Sequence, residues 1–351
     1  MKHYIGLDVS MKETFICVMD EAEHIVYEGV EKTHPSILVE HLNALNLNIV
    51  KIGIESGSLS HWLVSNMQKQ NMPAICVDAR HMEGILSSTI NKTDKNDARG
   101  IANAMRCNMY RSVCLKSQVD LDICNLITAR KTLVKESSRV KSSIRGIFKT
   151  QGVCITTTGK KDFLKKAREA LESLSNISQM ALTGLLNALE CIYEQIRILE
   201  AQIKFEAQND PDVMLLMTIP GIGPITALSF KASIGDPKRF PDSRSVGAYL
   251  GMTPQEHSSG EIKRLGRISK CGASELRSLL YEAGIVMLTR SKVWSKPKAW
   301  ASKIQRKKGL KKAAVALGRK LAVVMHRMLI TKEAFRLGAP SQEKDTLQKA
   351  A

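Results

Sequence analysis

The stretch that decides the fold runs from Tyr4 to Ser58: YIGLDV at 4–9, TFICVM at 14–19, HIVYEGV at 24–30, and VKIGIESGS at 50–58. The first three runs are short, apolar and rich in β-branched and aromatic residues, with brief polar gaps between them, so they read as an antiparallel meander. Between 35 and 45, Ile37, Leu38, Leu42 and Leu45 recur at helical spacing. Val50–Ile54 is a fourth strand, Leu59–Gln70 a helix, Ala74–Val77 a fifth strand and Asp94–Met105 a further helix.

Three strands in sequence followed by alternating helix and strand is the order of an RNase H-like α/β fold, expected over 1–112. Within it, Asp8 ends the first strand and Glu55 the fourth. Each follows a buried apolar run, so each carboxylate emerges at a strand end, close to the other. Like charges that near repel unless a cation is present, and hard oxygen donors suit Mg²⁺ or Mn²⁺. In KTDKNDAR, Asp94 and Asp97 stand three apart and share one face of a helix. Asp94 has a competing reading as an N-cap, and Asp78 reads as a turn residue. Clustered carboxylates can hold two metals that clamp the attacking and leaving oxygens of a phosphodiester.

Charge narrows the partners. The chain has 351 residues, 52 Lys+Arg against 34 Asp+Glu and a formal net charge of +18. Such an excess favours phosphate backbones. Aromatic residues make up 5%, few for a protein that grips single strands by base stacking. The eight cysteines form no Cys-x-x-Cys pair, which argues against a zinc site and for reduced thiols of a cytoplasmic protein. With 44% hydrophobic residues the chain can bury real cores, yet no run reaches the ~20 apolar residues of a membrane span.

Residues 113–208 read as a helical middle segment, with helices over Val119–Ile147 and Asp162–Glu206. Leu185, Leu189, Ile192, Ile196, Leu199 and Ile203 alternate by three and four. That is the a/d pattern of a coiled coil, and equally the seam of an antiparallel helix pair. The expectation is a spacer or oligomerisation arm.

A mainly α third unit is expected over 209–345, with a tail at 346–351. Its LLMTIPGIGPITA (215–227) resembles a helix-hairpin-helix: Gly221 and Gly223 would let backbone N–H groups approach a phosphate at a helix N-terminus. Ser258, Ser259 and Gly260 fall in an expected loop, with Lys263, Arg264, Arg267 and Lys270 just after. A serine among cations can attack a phosphate, but an isolated Ser-Ser-Gly is usually a solvated turn, and the residues alone do not make Ser259 a nucleophile. From 256 to 330 there are 18 Lys+Arg and 4 Asp+Glu, a net +14 of the chain's +18. Lys307, Lys308, Lys311 and Lys312 form its densest run, read as a phosphate contact or a solvated helix face.

In this order these motifs resemble the DEDD-type insertion-sequence transposases of the IS110 family and their relatives, the Piv-type DNA invertases. GLDVS with Asp8, IES-G with Glu55 and KTD-x-x-DAR with Asp94 and Asp97 match the family's four acids. IPGIG, GAYLGMTP, SSG and GRISK-x-G-x-x-x-LR match its C-terminal transposase domain. The resemblance covers nearly the whole chain. It implies a RuvC-like domain binding Mg²⁺ through the four acids, and a serine, here Ser259, that links covalently to DNA. It also implies a homo-oligomer, dimer or tetramer, guided by a structured (bridge) RNA. The competing readings are a metal-dependent Holliday-junction-type endonuclease that uses water, and a non-catalytic nucleic-acid scaffold.

Overall fold

The computed structural model describes residues 1–87, 93–259 and 262–337, except for the side chains of Ser259, Ile262, Lys263 and Leu265. Gly260 and the tail expected at 346–351 lie outside the described residues. The chain divides into two compact units, Met1–Lys116 and Ser117–Ala351.

The first unit holds β1 (His3–Val9), β2 (Glu13–Asp20), β3 (Ile25–Lys32), α1 (Pro35–Ala44), β4 (Ile49–Glu55), α2 (Ser60–Lys69), β5 (Ala74–Val77), α3 (Ala79–Leu86) and α4 (Asp94–Arg106). Its sheet runs β3-β2-β1-β4-β5. The first three strands are antiparallel, and β4 and β5 are parallel to β1. This is the strand order expected of an RNase H-like domain. Side chains alternate across the pleat. Ile5, Leu7, Ile52 and Ile54 therefore pack on one face against Leu38, Leu42, Leu63, Val64 and Met67 of α1 and α2.

The opposite face carries α4, which lies almost directly on the sheet. Gly6 is the reason on β1: a Cβ there would fall 2.0 Å from the Ala98 carbonyl oxygen and 2.4 Å from the Ala102 nitrogen. Gly53 plays the same part on β4, where a Cβ would meet Ile101 at 2.7 Å. Helix α3, from an N-cap at Asp78, packs Met82 beside Ile101 and Met105 on the same side. Asp78 is thus a helix cap rather than the turn residue expected. It begins a short helix that the apolar periodicity does not announce.

The second unit begins with α5 (Gln118–Thr150), α6 (Lys160–Leu171) and α7 (Asn176–Gln208). The single helix expected over 162–206 is two helices, because Ser175 caps α7 with its side chain on the Ser178 N–H. α5 and α7 pair antiparallel: Ile144 and Phe148 sit with Leu182, Leu186 and Leu189 at one end, and Ile123 and Ile127 with Ile203 and Ala207 at the other. Leu189, Ile196 and Ile203 are buried, while Leu185, Ile192 and Leu199 are half-buried. The a/d stripe of α7 is in this chain a seam against its own α5.

The base of that pair shares a core with α8 (Pro211–Leu216), α9 (Pro224–Ile234), α10 (Ser245–Tyr249), α11 (Ser274–Thr289), α12 (Lys296–Lys308) and α13 (Leu310–Thr331). A hairpin of β6 (Pro254–Ser259) and β7 (Ile262–Ile268) is inserted between α10 and α11. No helix of the described residues is long and apolar enough to cross a membrane.

Candidate active site

The glycine seam also sets the site. Gly6 and Asp8 are two apart on β1, Gly53 and Glu55 two apart on β4, so all four face α4. Each acid thus stands one pleat repeat beyond the glycine that admits the helix, and Glu55 shares a cleft with Asp97 of the first turn of α4. Thr93 caps α4, its Oγ accepting from the Asn96 N–H at 3.2 Å. Asp94 and Asp97 follow in the first turn. Asp97 is half-buried and Asp94 exposed. Asp94 is thus the first helical residue and not the cap.

Glu55 and Asp97 line one cleft of about 460 Å³, together with Ala79, Arg80, Glu83, Leu86 and Ser87. Asp8 faces α4 from the neighbouring strand, while Asp94 is not among the residues lining this cleft. Arg80, Glu83 and Ser87 stand along one face of α3 or its C-cap, at i, i+3 and i+7. Sequence reading missed them, and that spacing was the available signal. Among the described residues no three His, Cys, Asp or Glu side chains converge closely enough to enclose an ion. The candidate donors are nonetheless all carboxylate oxygens, Asp8 and Glu55 near the carboxyl ends of two parallel strands and Asp94 and Asp97 in the first turn of α4, and that chemistry suits a hard divalent cation.

The far flank of α4 carries the opposite charge. Glu28 on β3 accepts from Arg99 Nε and Nη2, the latter at 2.9 Å, and lies 3.0 Å from Lys95 Nζ. The Arg99 hydrogen bond, then Lys95, hold the Glu28 carboxyl down to about 2. Both cations are thereby occupied away from the acidic cleft. Burial pushes the Cys17 thiol, beneath α4, up to about 11, so it is neither thiolate ligand nor nucleophile at neutral pH.

In the second unit the expected serine loop is a hairpin. Ser258 pairs with Lys263 and Ser259, the last residue of β6, with Ile262. Ser258 Oγ donates to Glu256 Oε1 at 2.7 Å. Arg264 and Arg267 of β7 and Lys270 beyond it are exposed; the side chains of Ser259 and Lys263 lie outside the described residues. Gly221, at φ 89°, turns toward α11, where a Cβ would stand 3.2 Å from the Ala283 carbonyl oxygen, whereas Gly223, the N-cap of α9, has open space around it. Lys307 and Lys308 end α12, and Lys311 and Lys312 sit in the first turn of α13. All four are exposed. Lys311 and Lys312 face the positive end of a 22-residue helix whose first turn holds no acid, a placement that costs stability.

Two family profiles match the chain. One, described as a DEDD-type transposase of IS110, spans residues 5–151, and one described as the transposase IS116/IS110/IS902 family spans 213–299. The chain belongs to this transposase family. All four acids lie within the first matched region and Ser259 within the second. A Coxiella burnetii protein named as the transposase for insertion sequence element IS1111A is 29% identical over 95% of this chain and 92% of its own. The pilin gene-inverting protein of Moraxella bovis is 32% identical over 34% of this chain and 38% of its own. The Thermus thermophilus RuvC structure aligns with 32% of this chain and 99% of that one at 11% identity, with a TM-score of 0.24. The RNase H-like reading of the transposase therefore rests on its own strand order.

Proposed function

We propose that this transposase cuts and rejoins DNA, with Asp8, Glu55, Asp94 and Asp97 as its acidic centre and Ser259 as the nucleophile. It would act as a homo-oligomer on element ends and target, directed by a structured guide RNA. The observation that carries this reading is the shared cleft of Glu55 and Asp97, with Asp8 on the adjoining strand facing the same helix.

The acids would hold divalent metal, Mg²⁺ or Mn²⁺, which when bound supplies positive charge at the scissile phosphate and lowers the proton affinity of an attacking oxygen. The chain's own part is positional. The Gly6 and Gly53 seam fixes the helix acids against the strand acids, and rigid elements hold catalytic geometry better than loops do. Arg80, in the same cleft, can hold a phosphate oxygen. In the covalent step the Ser259 oxygen bonds to phosphorus as the bond from phosphorus to a deoxyribose oxygen breaks. The serine gives up its proton and the departing oxygen takes one up. Reversal onto a different deoxyribose hydroxyl rejoins the strand and frees the serine. Arg264, Arg267, Lys263 and Lys270 on the same hairpin, the α9 N-terminus at Gly221 and Gly223, and Lys307, Lys308, Lys311 and Lys312 would contact phosphates.

The test traps protein–DNA adducts in denaturant and maps the linked residue. We expect the adduct on Ser259, its loss in Ser259→Ala with DNA binding kept, and loss of strand exchange in Asp8→Asn, Glu55→Gln, Asp94→Asn and Asp97→Asn. Mg²⁺-dependent cleavage that persists in Ser259→Ala, with no adduct, would establish the water-using endonuclease instead.

A further inference from the structure

The arm formed by α5 and α7 has a chemically one-sided surface. Every exposed residue between 131 and 150 is Lys, Arg, Ser, Thr or Gly. At 100° per residue these positions form one continuous stripe opposite the buried Ser137, Ile144 and Phe148. From Lys135 to Lys149 it is about 21 Å long. The partner helix α7 shows what an ordinary solvated face of this arm looks like: it exposes Glu190 and Glu194 together with Arg197 and Lys204. No fully exposed position of the α5 stripe is acidic, and the one acid at its edge is Glu136, half-buried beside Arg139.

The cations are little used by the fold. Lys131, at the base, is paired with Glu275 at 3.3 Å. Arg139 meets Glu136 at 3.6 Å with its own side chain 79% exposed, a contact of small worth. Lys135 and Lys149 have no ion pair among the described residues. Ser138, Ser142 and Ser143 donate to carbonyls of the preceding turn, bonds that a hydroxyl rotation exchanges for a phosphate oxygen.

Gly146 is the second observation. It sits in the middle of the stripe, in a 33-residue helix, and a Cβ there would meet nothing within 4 Å. Glycine inside a helix costs stability relative to alanine, and no intramolecular packing requires this one. A bare backbone flanked by cations and hydroxyls lets another molecule's backbone approach closely. The stripe has no aromatic residue to stack on a base, which favours a double helix over a single strand.

We propose that the α5 stripe, with Lys135, Arg139 and Lys149 around Gly146, is a docking surface for the phosphodiester backbone of a nucleic-acid duplex. This rests on the nucleic-acid reading above and adds to it a contact surface on the arm, where a spacer or oligomerisation arm was expected.

The experiment measures binding of the full chain to a DNA duplex and, separately, to an RNA stem-loop across a salt series. Three proteins are compared: wild type, Lys135→Gln/Arg139→Gln/Lys149→Gln, and Lys307→Gln/Lys308→Gln/Lys311→Gln/Lys312→Gln. The arm variant should flatten the log–log salt slope by about 0.9 per lost contact on duplex DNA. An effect on one ligand alone identifies whether the stripe takes DNA or RNA. Gly146→Gln should raise the thermal midpoint while weakening duplex binding roughly tenfold, an opposition of signs that a solvated helix face does not produce. If the C-terminal variant flattens the slope and the arm variant changes it on neither ligand, the stripe is a solvated face and this inference falls alone. If wild type binds neither ligand with a salt dependence, the nucleic-acid reading falls with it.

Discussion

Glu28 of β3 and Arg99 of α4 form a two-pronged hydrogen-bonded ion pair, Arg99 Nη2 donating to Glu28 Oε2 at 2.9 Å. It ties down the flank of α4 opposite Asp97, so the helix is fastened on one side while presenting its acid on the other. The pair is partly buried, with Glu28 23% and Arg99 38% exposed.

Its contribution should follow pH in a stated direction. The Glu28 carboxyl falls from 4.5 to about 2 on folding. The stabilisation is therefore complete above the unfolded value and disappears as pH drops toward the folded one. At neutral pH Glu28→Gln should cost on the order of 2 kcal/mol. The gap from wild type should close as pH is lowered from about 5 to about 2. Urea unfolding followed by a probe within residues 1–116 measures both, and a gap that is constant with pH would remove the ion pair from the account.

Gly6→Ala should be severe. Its Cβ would collide with the backbone of Ala98 and Ala102, which no rotamer change relieves, and the cost should be about 3 kcal/mol or more. Gly84→Ala is the control. It lies in α3 with nothing within 4 Å of a new Cβ, and should be neutral or stabilising by up to about 1 kcal/mol. Comparing soluble yield and thermal midpoint of the two variants distinguishes close helix–sheet contact from general intolerance at glycine.

Arg80→Ala should slow strand cleavage by roughly tenfold or more, as expected for loss of one charge-assisted hydrogen bond to phosphate. The salt slope of duplex binding should barely move. Single-turnover cleavage at saturating protein is the measurement. A full loss of slope with unchanged cleavage would make Arg80 a binding residue only.

Lys311→Gln/Lys312→Gln should act with opposite signs on two readouts. Removing two cations from the N-terminus of α13 relieves an unfavourable dipole interaction and should add about 0.3–1 kcal/mol per site. The same change should weaken DNA binding if these lysines meet phosphates. Loss of both stability and binding would point to a local unfolding effect.

Much of the first unit was legible because its strands are short, apolar and separated by polar gaps, and the acids stand where those runs end. What the sequence hid was the role of the glycines before them. Gly6-Leu7-Asp8 and Gly53-Ile54-Glu55 make sense only once α4 is placed on them, a contact more than 40 residues away in the chain. Arg80 and Glu83 were missed because α3 is a bare eight residues with Gly84 inside it. The hairpin around Ser259 escaped because PQEHSS has no apolar alternation; its strands are defined by pairing with each other and not by burial. The seam of α7 was legible, but periodicity cannot say whether such a seam meets its own chain or another.

A joint in which backbone touches backbone has no adjustable part. On the α1 and α2 side of the sheet, Leu38, Leu42, Leu63 and Met67 can trade volume with their neighbours, and a loss at one position can be made up at the next. At Gly6 and Gly53 there is no side chain to trade. The two sides of the same sheet should therefore drift at different rates over evolutionary time: one as an interchangeable filling, the other as a fixed gauge that sets the distance between the strand acids and the helix acids. A library randomised at the four leucine and methionine positions should yield many active transposases, and one randomised at the two glycines almost none.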